Sequence, residues 1–123
     1  MHDQIRPSHY THRSGVRCLD LVKCMSFIRG NCVKYIWRAG SKSDMLHDLK
    51  KAREYLVFLI EEAESAPRDD AFVQSVNRYA TNESETRRAT LVKDISLISD
   101  STYLQDVSLP MLDGWIEEVS SSG

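Results

Sequence analysis

The sequence predicts an all-α fold: a small helical domain with three main helices, then a helical or irregular C-terminal extension. Three observations carry this expectation. Apolar residues recur at helical spacing in two stretches, Cys18, Leu21, Val22, Met25 and Ile28, then Met45, Leu49, Ala52, Leu56, Leu59, Ile60 and Ala63. Between them, residues 31–39 separate into an apolar and a polar side when wound at about 100° per residue. The chain of 123 residues, 41% hydrophobic and 28% charged, suits one compact folded unit rather than a disordered or fibrous chain.

Residues 1–16 are polar and rich in turn formers, and read as an ordered arm or loop. Pro7 holds Arg6 extended, and Gly15 permits a sharp change of direction. The first helix is expected over 17–28. Gly30 and Asn31 are expected to end it and cap the second helix, over 31–39. Gly40 is placed as a C-cap, Ser41-Lys42-Ser43 as a turn, and Asp44 as the cap of a third helix of about five turns. Glu61, Glu62 and Glu64 close that helix with acids that oppose its macrodipole.

Pro67 marks a boundary, so the expected division is a helical domain over 1–66 and an extension over 67–123 suited to oligomerisation. Within the extension, 70–80 reads as a helix with Phe72, Val73, Val76 and Tyr79 inward, and 86–98 as another with Leu91, Ile95 and Ile98 inward. After Ser99 short apolar groups alternate with Asp, Ser and Pro110, and a last short helix is expected around Leu112, Trp115, Ile116 and Val119. A domain of about sixty residues buries little alone. With apolar material expected at the surface over Leu109–Val119, the chain is expected to form a homo-oligomer.

No segment reads as a secretion signal or a membrane span, so a cytoplasmic protein without a membrane partner is expected. Cys18, Cys24 and Cys32 are odd in number, lack CxxC spacing and fall in apolar patterns, which predicts reduced, buried thiols without a disulfide. His9, His12 and Cys18 match no familiar zinc spacing, and neither zinc nor haem is expected. The net charge of −2 hides a division: residues 1–60 hold eleven Lys or Arg against five Asp or Glu (+6), and residues 61–123 hold five against thirteen (−8). The basic half fits phosphate, nucleic acid or an acidic partner, and the acidic half is equally its intramolecular counterweight.

The second helix carries the most informative pattern. Asn31, Lys34, Tyr35 and Arg38 fall in one arc with no acid among them, opposite Cys32, Val33, Ile36 and Trp37. Lys and Arg neutralise phosphate oxygens, Tyr stacks on a base, and Asn reads a base edge. A solvated face with Tyr35 packed at its margin accounts for the same pattern. On the third helix Asp44, Asp48, Lys51 and Tyr55 line the edge of the apolar stripe. An antiparallel pairing of the two helices brings Asp48 and Lys51 toward Arg38 and Lys34, as a charge-paired groove or as an ordinary structural ion pair. The arm contributes Pro7-Ser8-His9-Tyr10, in which His9 titrates near neutrality.

These residues carry a resemblance. Pro7-Ser8-His9-Tyr10, Cys18-Leu19-Asp20, Gly30-Asn31, Lys34-Tyr35-Ile36-Trp37-Arg38-Ala39-Gly40, Lys42 and Asp48-Leu49-Lys50-Lys51-Ala52-Arg53-Glu54-Tyr55-Leu56 stand in the order of a small phage-encoded domain family. That family is labelled nucleotide-kinase-like or SaV-like and filed as domain of unknown function 3310. The likeness covers about Pro7 to Ile60. It implies a protein of the infected bacterial cytoplasm, and a relation to a larger phage member described as a P-loop-less deoxynucleoside monophosphate kinase that forms large homo-oligomers. No GxxxxGK[ST] loop occurs in this chain either, so phosphate binding would rest on side chains.

By the resemblance, His9, Arg38 and Asp48 are the candidate catalytic residues. Ser8, Tyr10, Asn31, Lys34, Tyr35, Lys42 and Lys51 are the candidates for nucleotide or phosphate binding, with no protein metal site assigned. ATP and magnesium are the implied cofactors, with Asp48 or Asp20 the carboxylates offered to the ion, and a nucleotide or nucleoside monophosphate is the implied partner. The principal reading is a phosphotransferase acting by positioning and charge neutralisation. The alternative is a non-catalytic nucleotide-binding or inhibitory module that engages a host protein. A helical pyrophosphatase would need paired acidic motifs, and only Glu61 and Glu64 supply one. No nucleic-acid-reading motif is present, and with a pI near 6.1 nucleic acid is not the expected ligand.

Overall fold

The computed structural model describes residues 12–41 and 44–122. Among these there is no strand, and the all-α class is as the sequence predicts. The elements are α1 (Cys18–Val22), α2 (Phe27–Arg38), α3 (Met45–Glu62), α4 (Asp70–Asn82), α5 (Thr86–Leu97), α6 (Ser101–Tyr103), a π-helical turn (Leu104–Ser108) and α7 (Leu109–Ser122).

The first boundary differs from the expected one. α1 stops at Val22, and α2 begins at Phe27 behind Ser26, whose extended backbone and side-chain oxygen, accepting the Arg29 N–H at 3.2 Å, make it the N-cap. Gly30 therefore lies buried inside α2 instead of separating two helices. A helix-interior glycine costs only about 1 kcal/mol, which a cap and a buried face outweigh. Asn31 does not cap either; its amide donates to the Phe27 carbonyl one turn back at 2.9 Å.

Downstream, the expected signals operate. Gly40 takes φ +87° just past α2, and Asp44 caps α3 by accepting the His47 N–H at 3.3 Å. Asp69 caps α4 and Glu85 caps α5 in the same way. The irregular stretch expected after Ser99 is instead helical from Ser101 to Ser122. Pro110 reads as a break because its ring collides with the carbonyl four residues back. The widened turn, in which the Leu109 N–H reaches back to the Leu104 carbonyl, lies where that collision would fall.

α2 and α3 form an antiparallel pair, pinned at one end by Ser26 donating to Glu64 at 2.5 Å and at the other by Arg38 facing Asp48. α5 lies across α2, α4 packs on α5, and α7 packs on α3. Leu21, Val33, Ile36, Leu49, Leu56, Val76, Leu91, Ile95, Leu112 and Trp115 are fully buried in one cluster, so residues beyond 67 supply much of the core behind α2 and α3. Arg29, also fully buried, donates to the carbonyls of Ile95 at 2.6 Å, Ile98 at 3.0 Å and Glu64 at 2.7 Å. It thereby ties the end of α5 and the α3–α4 connection to α2. The apolar material expected at the surface over Leu109–Val119 is not there. Leu112 and Trp115 are committed to the core, and among the described residues the large exposed apolar side chains are Leu19, Phe27, Phe58 and Val107.

Candidate functional site

The helical phase of α2 places Phe27, Asn31, Lys34 and Arg38 on one stripe with Tyr35 at its edge. α3 sets Tyr55 beside them, its ring nearly parallel to that of Tyr35, with an interplanar angle of 13° and centroids 6.1 Å apart. Two cations lie against Tyr35: the Lys34 ammonium 4.7 Å and the Arg38 guanidinium carbon 5.5 Å from the ring centroid. Each is in the range of a cation–π contact. Arg38 also faces Asp48, Nε to Oδ1 at 3.5 Å, across the hairpin. The Asp48 side chain is 0% exposed and the Arg38 side chain 46%, so a buried carboxylate anchors a cation that remains open to solvent.

The structure thus brings together Lys34, Tyr35, Arg38 and Asp48. Lys51 does not join them as expected, but pairs with Glu54 one turn along its own helix at 3.7 Å. Asn31 sits on the stripe with one amide hydrogen held by the Phe27 carbonyl. Ser8, His9, Tyr10 and Lys42 lie outside the described residues.

The carboxylates offered to magnesium fit that role poorly. Asp48 is buried against Arg38, and Asp20 accepts the Arg17 N–H at 2.9 Å and its guanidinium at 2.8 Å, which holds its carboxyl below the ordinary range. An ion bound at either carboxylate would sit beside an arginine cation. Among the described residues no three His, Cys, Asp or Glu side chains converge as metal ligands.

A second polar cluster escapes sequence reasoning. His12 faces Glu83 at 2.9 Å through Nε2, while its Nδ1 receives the Ser14 N–H at 3.1 Å, an arrangement that assigns the ring proton to Nε2. The His12 ring lies 4.5 Å from Tyr79, which stacks on Trp37 at 4.1 Å. Arg88 faces Glu83 at 3.4 Å and donates to the carbonyls of Ile36, at 3.1 Å, and Ala39, closing the C-terminus of α2. Burial lifts the Glu83 carboxyl, but the Glu85 N–H, His12 and Arg88 outweigh it and hold the group below its ordinary value. The cluster fastens the segment before α1 and the end of α2 to the α4–α5 corner. Its partners are 71 residues apart, and no local period signals them.

The cysteines form no disulfide, and only two are shielded. Burial pushes the Cys18 and Cys32 thiols up to about 12, in Cys18 against the opposing pull of Lys34. Cys24 is exposed, contrary to expectation, because α1 ends before it and leaves it in the turn. A cleft of about 250 Å³ between α4 and α5, lined by Asn77, Ala80, Thr81, Ala89, Thr90 and Lys93, involves none of the predicted site residues.

Residues 5–57 match the model of a family described as a protein of unknown function, DUF3310, a span that contains α1, α2 and most of α3. No curated protein and no solved structure matches the chain. No helix among the described residues is long and apolar enough to cross a membrane.

Proposed function

We propose that this chain, through the segment that matches DUF3310, binds a phosphorylated nucleotide on the α2/α3 face, in the manner of a P-loop-less nucleoside monophosphate kinase-like protein. The observation that supports this reading is the placement of Lys34 and Arg38 against one Tyr35 ring, with Arg38 anchored by the buried Asp48. Lys34 and Arg38 neutralise phosphate oxygens, and the paired Tyr35 and Tyr55 rings offer a π surface to a base. Holding the guanidinium in advance lowers the ordering cost of binding, and any phosphoryl transfer rests on positioning and charge neutralisation.

Thermal shift against a panel of nucleoside mono- and triphosphates tests the binding. At saturating ligand, about a hundred times the dissociation constant, a gain near 2.7 kcal/mol is expected, read as a raised midpoint. Lys34→Ala/Arg38→Ala removes it; because Arg38→Ala takes away a charge partner of the buried Asp48, the unliganded midpoint falls as well, and the ligand-induced gain is read against the variant's own unliganded midpoint. Binding unchanged in that double variant overturns the proposal. A coupled assay for ADP release with each deoxynucleoside monophosphate separates catalysis from binding alone.

The alternative, a non-catalytic nucleotide-binding or inhibitory module, draws support from Asp48 and Asp20, both already committed to arginines. It predicts saturable binding with no product by mass spectrometry.

A further inference from the structure

The α2/α3 face carries more open aromatic surface than a single nucleotide would use. Phe27 is 75% and Phe58 51% exposed, and both meet the Tyr55 ring edge-on, at 6.1 and 6.2 Å. Contiguous exposed aromatic side chains of this kind mark contact surfaces. The order of residues on α3 identifies what covers them. At about 100° per residue, Lys51, Tyr55, Phe58 and Glu62 fall within an arc of roughly 60°. Along the helix they read cation, aromatic, aromatic, anion.

The level between residues 56 and 57 is the midpoint of Lys51 and Glu62, and also of Tyr55 and Phe58. A two-fold axis through that level, perpendicular to α3, sets Lys51 against the partner subunit's Glu62 and Tyr55 against the partner subunit's Phe58. Both pairs are formed twice, as a two-fold contact requires.

We propose that two copies of this chain associate through antiparallel pairing of their α3 helices in this register, with Phe27 packed at its margin. The surrounding charge has the same polarity. Lys34 lies toward the Lys51 end, where Lys51 also faces Glu54 at 3.7 Å, while Glu61 and Glu64 lie at the Glu62 end, so the end carrying Lys34 and Lys51 meets the more acidic one. The same polarity disfavours a single-stranded nucleic acid, whose phosphates would run from the cations into those glutamates. At 18 residues α3 is about 27 Å long, room for a small, concentration-dependent interface. The proposal does not rest on the nucleotide reading: its pairs use neither Lys34 nor Arg38, and with Tyr55 packed against the partner subunit's Phe58 the ring left to a base is Tyr35.

Sedimentation velocity of the full chain over a range of concentrations is the test. A reversible dimer is expected, and a monomer at every concentration overturns the proposal. Phe58→Asp, at an exposed position, abolishes the dimer while the circular dichroism stays unchanged; a dimer that persists rules out this face. Lys51→Glu and Glu62→Lys each set like charges opposite and weaken association about tenfold or more. The double charge reversal restores it, and failure to restore it overturns the register.

Discussion

Arg29 donates to three carbonyls from two other segments, so its removal leaves buried acceptors without donors. Arg29→Leu keeps an apolar stem and loses the head. It is expected to destabilise the fold by about 3 kcal/mol or more, read as a lower urea midpoint with an unchanged slope. Glu83 carries a pH dependence. Its carboxyl lies below the ordinary value near 4.5, so its stabilising contribution is full above that pH and is lost as pH falls through the depressed native value. Glu83→Gln is expected to flatten the fall in stability below about pH 4.5. Among the thiols, Cys24 is expected to react with a thiol reagent in the native protein, leaving Cys18 and Cys32 to label only after unfolding. Legibility at this scale followed distance along the chain. Arg38 and Asp48 face each other across one predicted turn, whereas Arg29 and His12 reach partners 35 to 71 residues away, which periodicity does not register.

At the scale of elements, α3 was readable from its Asp44 cap and apolar period, and α4 and α5 from their apolar periods, with the Asp69 and Glu85 caps added by the structure. The α1–α2 boundary was not, because the Ser26 cap lies inside the apolar period that runs from Cys18 to Ile28, while Gly30 reads as punctuation. The two glycines make the distinction measurable. A Cβ at Gly30 would meet Val22 at 3.5 Å, an ordinary contact in a helix interior, so Gly30→Ala is expected to stabilise by about 0.5–1 kcal/mol. Gly40, at φ +87°, holds a conformation that costs an L side chain about 1–2 kcal/mol, and Gly40→Ala is expected to destabilise by that order. Thermal melts of the two variants should shift in opposite directions; shifts of the same sign would contradict the placement of the α2 boundaries. The polar face of α2 was legible from angle alone, but the Tyr35–Tyr55 pairing was not, since helix phase does not fix how two helices rotate against each other.

At the scale of the whole molecule, the basic and acidic halves meet internally. Arg53 pairs with Asp113 at 2.6 Å, so part of the acidic half does neutralise the basic one, while His12 joins the halves by a hydrogen bond to Glu83 at 2.9 Å. The shared core has a sharper consequence. Leu112 and Trp115 sit in the same cluster as Leu49 and Leu56, so a chain cut after residue 66 is expected to lose its cooperative thermal transition. A cooperative melt from that fragment would show that the first half folds alone. Trp115 reaches the core only with the correct helical phase, and the five-residue turn before it sets that phase. Such a turn is one residue longer than an α-helix would use, so it is a deletion already absorbed in reverse: removing exposed Gln105 would let regular helix run through while α7 kept its facing. Pro110 forbids that change by itself, because its ring would then strike the carbonyl four residues back. The loss of a residue here is therefore tolerated only together with the replacement of Pro110, a coupling between length and sequence that relatives of this chain would have to respect as they diverge.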